Sequence, residues 1–205
     1  TLPPLINILY DLDHMIIEPF HMLPTMAFRG QKYAKNDVVF KQGEDTRGLF
    51  FVLSGQVNLR RYTETGHLIT VHRATANTLF AEASLFSDRY HCDAQCNTAC
   101  DIFCIDKTAI LKCMDSEPKF SKQFNKLLAS QIQNYRQIVE IMAIKSATDR
   151  ILAAVTAGYL VGSVTDFASQ IGLTHEACYR GLRKLTLNGV LIQTGRGKYT
   201  LRLGD

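Results

Sequence analysis

Three textures of apolar and polar positions follow one another along the chain. From about Tyr33 to Ile105, short apolar runs alternate with turn residues: VVF, LFFVLSGQVNLRRY, LITVHRA and HCDAQCNTACDIFCI, punctuated by Gly43, Gly55 and Gly66. Asn36-Asp37 and Asn77 supply further turns, where Asn tolerates positive φ. Regular short strands between turn signals predict an antiparallel sandwich or barrel. From Ser116 to about Ile144 the period lengthens. Leu128, Ile132, Tyr135, Val139 and Met142 step by 4, 3, 4 and 3 residues, the seam of a coiled coil. Ser116 is the expected cap of that helix, and Pro118 is tolerated in its first turn. Phe120, Phe124, Leu127, Ile138 and Ile141 widen the apolar face, which is expected to meet the barrel. One seam for the barrel and one for a partner helix argue for a parallel homodimer; a core helix of a monomer is the alternative.

Ser146-Ala-Thr-Asp149 then reads as a capping box that restarts a helix over Arg150–Tyr159 and marks a hinge. Beyond it, VTDFASQIGLTHEACYRGLRKL (164–185) reads as two short helices joined by a tight turn. Thr165 is the expected N-cap of the first, with Phe167, Ala168 and Ile171 inward. Gly172 supplies the left-handed stop, and Thr174 caps the second. That second helix carries His175, Glu176, Tyr179, Arg180, Arg183 and Lys184 outward and Cys178, Leu182 and Leu185 inward. Past Asn188-Gly189, VLIQTGRGKYTLRL gives two β-rich runs around Gly195-Arg196-Gly197, a wing that offers Arg196 and Lys198 to phosphates. This is the plan of a helix that enters the DNA major groove: Arg180 can bond two acceptors on a guanine edge, Glu176 can accept from a cytosine amine, and four residues apart they share a face. A plain helical hairpin with a solvated Glu–Arg pair is the competing reading. Residues 1–33 read as helical packing segments broken by Pro3, Pro4, Pro19 and Pro24, with His14 and His21 as their only chemistry.

Charge sharpens the picture. The net charge is +4. Residues 1–144 hold 15 Lys+Arg and 15 Asp+Glu, and residues 145–205 hold 8 and 4, so all of it lies in the C-terminal part. A neutral body with a basic module suits nucleic-acid binding. No apolar run approaches a membrane span, so a cytoplasmic protein with no membrane partner is expected. No nucleophile–base pairing, Walker loop or HExxH motif is present, so no enzyme is expected. The organisation expected is therefore 1–115 sensing barrel with N-terminal helices, 116–145 dimerisation helix, and 146–205 winged helix-turn-helix.

Cys92, Cys96, Cys100 and Cys104 recur every four residues. The sequence between them reads as strands with a bend at Asn97-Thr98. On a strand, neighbours four apart lie ~13 Å from each other. Such sulfurs cannot close on one zinc at about 2.3 Å. They are expected to pack in the barrel; a thiol switch between Cys96 and Cys100 across the bend, or a metal stripe, is the alternative, and no metal ligands are assigned. Cys178 is expected in the core beneath the recognition helix.

Barrel, long helix, hinge and winged helix-turn-helix, in that order, resemble the Crp/Fnr superfamily of bacterial transcription regulators. The resemblance rests on FKQGE (40–44), LSGQV (53–57), LFAEASLF (79–86), ATDRIL (147–152) and HEACYR (175–180), and covers nearly the whole chain. It implies an α+β fold: an N-terminal antiparallel β-barrel of the cyclic-nucleotide-binding jelly-roll kind, a long dimerisation helix, and a C-terminal winged helix-turn-helix. It implies a homodimeric, sequence-specific DNA-binding regulator whose barrel senses a small signal and re-aims the recognition helices. The alternative is a signal-binding module (haem and gas, cyclic nucleotide, or thiol redox) whose C-terminal domain serves protein contacts. The partners implied are double-stranded DNA with a two-fold-symmetric site, a second copy of the chain, and RNA polymerase. His175 stands where many members carry a basic contact to base or phosphate.

The departures bear on the signal. Members that bind a cyclic nucleotide carry Gly-Glu-Leu followed by Arg-Ser. Here Glu82 remains, Ala81 replaces the Gly, and Tyr90-His91 hold the Arg-Ser place, with Arg89 one residue off. Tyr135-Arg136 stand where those members place small hydroxyl residues. The resemblance thus frames an effector pocket of Glu82, Ala83, Tyr90, His91, Tyr135 and Arg136, and cyclic nucleotide is not the expected ligand. The FAEA run resembles the haem-binding, nitric-oxide-responsive (Dnr-like) branch, which makes haem a candidate cofactor, with His14, His21, His67, His72 or His91 as its ligand. The N-terminal four-cysteine cluster of iron–sulfur oxygen sensors is absent, so an iron–sulfur cluster is not expected. The link from the hinge helix to Val164 is shorter than members carry.

Overall fold

A computed structural model describes residues 18–202; His14, Pro3 and Pro4 lie outside the described residues. The chain divides into two units, residues 1–125 and 126–205.

In the first unit, eight strands form two four-stranded antiparallel sheets. Their order is β1 (Phe28–Tyr33), β8 (Cys100–Asp106), β3 (Gly48–Ser54), β6 (Thr78–Phe80) in one sheet. In the other it is β2 (Val38–Phe40), β7 (Asp93–Cys96), β4 (Gln56–Tyr62), β5 (Leu68–Thr75). Period-two alternation fills the space between them. Val57, Leu59, Ala74 and Ala94 come from the second sheet, and Phe50, Val52, Cys100 and Ile102 from the first. Gly55 turns β3 into β4 at φ +92°, and a Cβ there would lie 2.3 Å from the Ala99 carbonyl oxygen, so only glycine fits. Asn36 and Asn77 also take positive φ, as their turn positions require.

The inner core is aromatic. Phe40, Phe50, Phe80 and Tyr90 stack on one another, with the Phe40 and Tyr90 rings 3.7 Å apart. The Tyr90 hydroxyl accepts from the Arg47 and Gly48 N–H groups (3.0 and 3.3 Å) and donates to the Gly48 carbonyl (3.2 Å). A buried phenol is tolerated because its polar tip is satisfied.

A helix absent from the sequence reading, α1 (Lys107–Ser116), follows β8 directly. The Asp106 carboxylate caps it by accepting from the Ala109 N–H (2.9 Å). It lies against β3 and β8, whose outer faces are therefore also apolar: Leu49, Phe51, Phe103 and Ile105 are buried. Ser116 thus ends α1 and does not cap the next helix. That helix, α2 (Pro118–Ala143), starts after Glu117 on the proline whose missing N–H costs nothing there. Phe120 and Phe124 of α2 are fully buried and meet Phe20 edge-on, each at 6.0 Å.

The second unit is built on α3 (Ala147–Thr156), α4 (Val164–Gln170), α5 (His175–Leu187) and the hairpin β9 (Leu191–Gly195) with β10 (Lys198–Leu201). Ile151, Ala154, Val164, Phe167, Ala168, Ile171, Cys178, Leu182, Leu185 and Leu191 form its core. Ile141 of α2 belongs to this core and not to the barrel, contrary to the expectation for its apolar face. Ser146 caps α3, as its capping box predicts. α4 is capped by Ser163, which accepts from the Asp166 N–H (3.1 Å), and not by Thr165, which lies exposed inside the helix. The helix starts earlier because Val164 is buried and must be in its first turn.

Candidate nucleic-acid interface

The turn between α4 and α5 has the geometry a helix-turn-helix needs. Gly172 takes φ +66° and reverses the chain. Thr174 then accepts from the Ala177 N–H (3.2 Å) and fixes the start of α5. With the start fixed, helical spacing does the rest. Cys178, Gly181, Leu182 and Leu185 are buried, while His175, Glu176, Tyr179, Arg180, Arg183 and Lys184 are exposed on the opposite face. His175 stacks edge-on against Tyr179, with ring centres 4.5 Å apart, which steadies the outer face. Thr165 and Thr174 are exposed at the starts of the two helices. In the wing, Arg196 and Lys198 flank Gly197 at φ +71° and are exposed. Two residues of this arrangement escaped the sequence reading. Gly181 lets α5 lie close on α3, and Ser163 caps α4; the Ser-Val-Thr-Asp order of a capping motif was the available signal for the second.

On α2, Ile132, Tyr135, Val139 and Met142 are exposed large side chains, at 52, 51, 66 and 45% of full exposure. Leu128 at the head of the same row is half-buried. Such a stripe along a helix exposes more apolar surface than water tolerates.

In the barrel, Ala81 adopts the left-handed conformation, φ +72°, at the place where the resemblance puts glycine. Glu82 follows in a short turn, half-buried, and Ala83 is exposed. Tyr90 is 2% exposed and committed to the aromatic core, so it does not line an open pocket. His91 is exposed, 3.0 Å from the Ser87 hydroxyl. Arg89 points outward, donates to the Gly43 carbonyl (2.6 Å) and lies 3.8 Å from the Asp45 carboxylate. Tyr135 and Arg136, the remaining residues of the expected pocket, are exposed on the part of α2 that belongs to the second unit. Among the described histidines, His21 and His67 are exposed, and His72 alone faces inward. It pairs with Leu59 across β4 and β5, and burial lowers its pKa while Glu82 raises it.

Cys96 and Cys100 are buried on the same core, with Cys92 and Cys104 packed at its edge. Past the bend at 97–99, the Cys100 thiol donates to the Gln56 and Thr98 carbonyls, at 3.3 Å each. Burial pushes the Cys96 thiol up to about 12, and Cys92 and Cys178 each up to about 11. Cys96, Cys100 and Cys178 are buried in their cores and pack there as small apolar side chains. Among the described residues, no three of His, Cys, Asp and Glu gather as a metal-binding group, and no helix is long and apolar enough to cross a membrane.

A double-sheet barrel, a long helix with an exposed apolar stripe and a winged helix-turn-helix follow one another along the chain. Residues 30–117 match the family described as the cyclic nucleotide-binding domain. The chain is 24% identical over 147 residues to the global nitrogen regulator of Nostoc, covering 69% of this chain. It spans 66% of that regulator's length, just under two thirds. It is 20% identical over 201 residues to the transcriptional activator protein anr of Pseudomonas aeruginosa, covering 91% of this chain and 82% of the relative. The structure of FixK2 from Bradyrhizobium japonicum superposes with a TM-score of 0.68 at 16% identity, covering 86% of this chain and 93% of that one, which shows a common fold. Over most of its length the chain is thus similar to transcription regulators, and its barrel carries the cyclic nucleotide-binding-domain match.

Proposed function

We propose that the protein is a homodimeric, sequence-specific DNA-binding transcription regulator, with α5 as its recognition helix. The observation that carries this is the division of α5 into a buried face and a face that exposes His175, Glu176, Tyr179, Arg180, Arg183 and Lys184, with the apolar Leu187 only at its end. Arg180 and Glu176 read base edges. His175, Tyr179, Arg183 and Lys184, with Arg196 and Lys198 of the wing, meet phosphates, and Thr165 and Thr174 meet the backbone at the helix starts. Leu128, Ile132, Tyr135, Val139 and Met142 close the dimer, whose two α5 helices address half-sites about one helical turn apart. RNA polymerase is the partner through which a bound regulator of this kind acts.

The barrel receives the signal at the inward face that holds His72 and Glu82. Cyclic nucleotide does not suit this face: Tyr90 and His91 hold the Arg-Ser place, Tyr90 is committed to the aromatic core, and Arg89 is turned outward to Gly43 and Asp45. Haem remains the candidate, with His72 as its ligand. Burial holds that imidazole neutral, the form that binds iron. Saturable Soret absorbance on adding haem, lost in His72→Leu, supports that assignment, and unsaturable absorbance removes it.

The test of the main reading is salt. A duplex selected from a random pool should bind as a two-fold-symmetric footprint, and log affinity should fall linearly with log salt. No protected site, or an affinity indifferent to salt, would instead favour a C-terminal domain that serves protein contacts.

A further inference from the structure

One side chain holds the junction between the long helix and the helix-turn-helix. Arg150, in the first turns of α3, donates from both Nε and Nη2 to the Ile144 carbonyl, at 2.9 and 2.6 Å. Its Nη1 donates to the Ile171 and Gly172 carbonyls, at 3.3 Å each. Ile144 is the first residue past the end of α2, and Ile171 and Gly172 are the first two past the end of α4. Carbonyls at helix ends lack intrahelical partners and carry the negative end of the helix dipole, so a cation suits both places. The planar fork of guanidinium N–H groups can address both at once; a lysine ammonium, a single point of charge, cannot.

Two other contacts tighten the junction. A Cβ at Gly172 would lie 3.1 Å from Met142 Cε, so the recognition turn packs on the end of α2. The Tyr159 hydroxyl, just past α3, donates to Gln137 Oε1 (2.9 Å) and to the Asn134 carbonyl (3.3 Å) of α2. The three-residue interval from Gly172 to the start of α5 leaves little slack for the recognition helix to move alone.

We propose that Arg150 is the positioning residue that couples the end of α2 to the aim of α5. A displacement of Ile144 is passed through the guanidinium to the Ile171–Gly172 turn, and from there to the recognition helix. The inference rests on the reading of α5 as the DNA-contacting helix, although the bridge itself can be tested without DNA.

Arg150→Met keeps the apolar stem and removes every donor; Arg150→Lys keeps the charge and loses the fork. Hydrogen exchange is first followed on the DNA-free protein. Arg150→Met should accelerate exchange around 144–149 and 171–177 together, with barrel peptides unchanged. Acceleration in one of these segments only, or in neither, overturns the bridge. Binding is then measured to the selected duplex and to a scrambled one. Both variants should lose tenfold or more on the selected duplex, with affinity for the scrambled duplex and its salt slope unchanged. Full affinity for the selected duplex, or equal loss on both, overturns the positioning role. If Arg150→Met does not fold, Arg150→Lys carries both measurements. A wild-type chain that binds neither duplex removes the DNA reading, and the exchange experiment still decides the bridge.

Discussion

Gly181 of α5 rests against Ile151 of α3 so closely that a Cβ added to it would lie 2.3 Å from Ile151 Cδ1. Both residues are buried, Ile151 completely. Glycine inside a helix costs up to about 1 kcal/mol relative to alanine, so its presence at mid-helix needs a reason, and the close crossing is that reason. Gly181→Ala gains that propensity and incurs an overpacking cost of about 1–3 kcal/mol, because the fully buried Ile151 side chain must shift to admit the methyl. A net loss is expected in the denaturation midpoint. Ile151→Val removes the offending methyl at a cost of its own of about 0.5–1.5 kcal/mol. In the Ile151→Val background, Gly181→Ala should become neutral or stabilising. Equal losses in both backgrounds would show that the two residues do not compete for space.

The start of α4 offers a second comparison. The Ser163 hydroxyl satisfies the Asp166 N–H and itself donates to the Asp166 carboxylate (2.8 Å). Ser163→Ala should cost about 1 kcal/mol, typical of a lost N-cap, read as a shifted urea midpoint at constant slope. Thr165→Ala, two residues on and exposed, should change stability by less than about 0.5 kcal/mol. The reverse order would place the cap where the sequence alone suggested it.

These cases show where the sequence speaks and where it stops. Caps, turn glycines and periodicity act over a few residues, so Gly172, Thr174, Ser146 and the inward positions of α5 were legible. The strand reading of the cysteine run held for the same reason: β7 and β8 break at the bend expected near Asn97-Thr98. What escaped was set by neighbours distant in sequence. Ile141 joins the second unit because α3 and α4 offer it a core. α1 went unread because its cap, Asp106, follows a strand without an intervening turn, although the Asp106-to-Ala109 spacing was a capping signal. Tyr90 could be placed beside a pocket by resemblance, yet whether its ring lines the pocket or fills the core depends on Phe40, Phe50 and Phe80, which come from three different strands.

His72 should leave a mark on stability against pH. Burial lowers its pKa from the usual 6.5, the dominant effect, while the nearby Glu82 opposes the shift. The unfolded chain therefore takes up this proton as pH falls through about 6.5, while the folded chain still refuses it. The stability tied to neutral His72 is fully present above that pH. It is lost as pH falls from there toward the lower folded value. Replacing His72 with Gln should flatten this part of the curve relative to the parent, and Glu82→Gln should steepen it, since the carboxylate is what favours the proton. Parallel curves for parent and His72→Gln would mean that the imidazole titrates as it does in water.

In the proposed dimer, the apolar stripe of α2 would bring the two α5 helices to act together. Ile132 and Val139 are half or more exposed in a single chain, so a polar substitution there leaves the protomer's core untouched. In a parallel two-fold pair each residue meets its own copy, and a glutamate at either place faces a second glutamate across the seam. Each copy also forfeits burial worth about 1.5–3 kcal/mol. Ile132→Glu or Val139→Glu should therefore weaken the dimer by roughly a hundredfold or more. By light scattering, the mass should move from about twice the 23.0 kDa of the chain toward one chain, with the thermal unfolding of the barrel unchanged. Affinity for a full two-fold site should fall toward that for a half-site, since the second recognition helix is no longer delivered by the first. A parent chain that is monomeric at tens of micromolar (the range where a seam of this length should hold) would sink the dimer, and the exposed stripe would then need another partner.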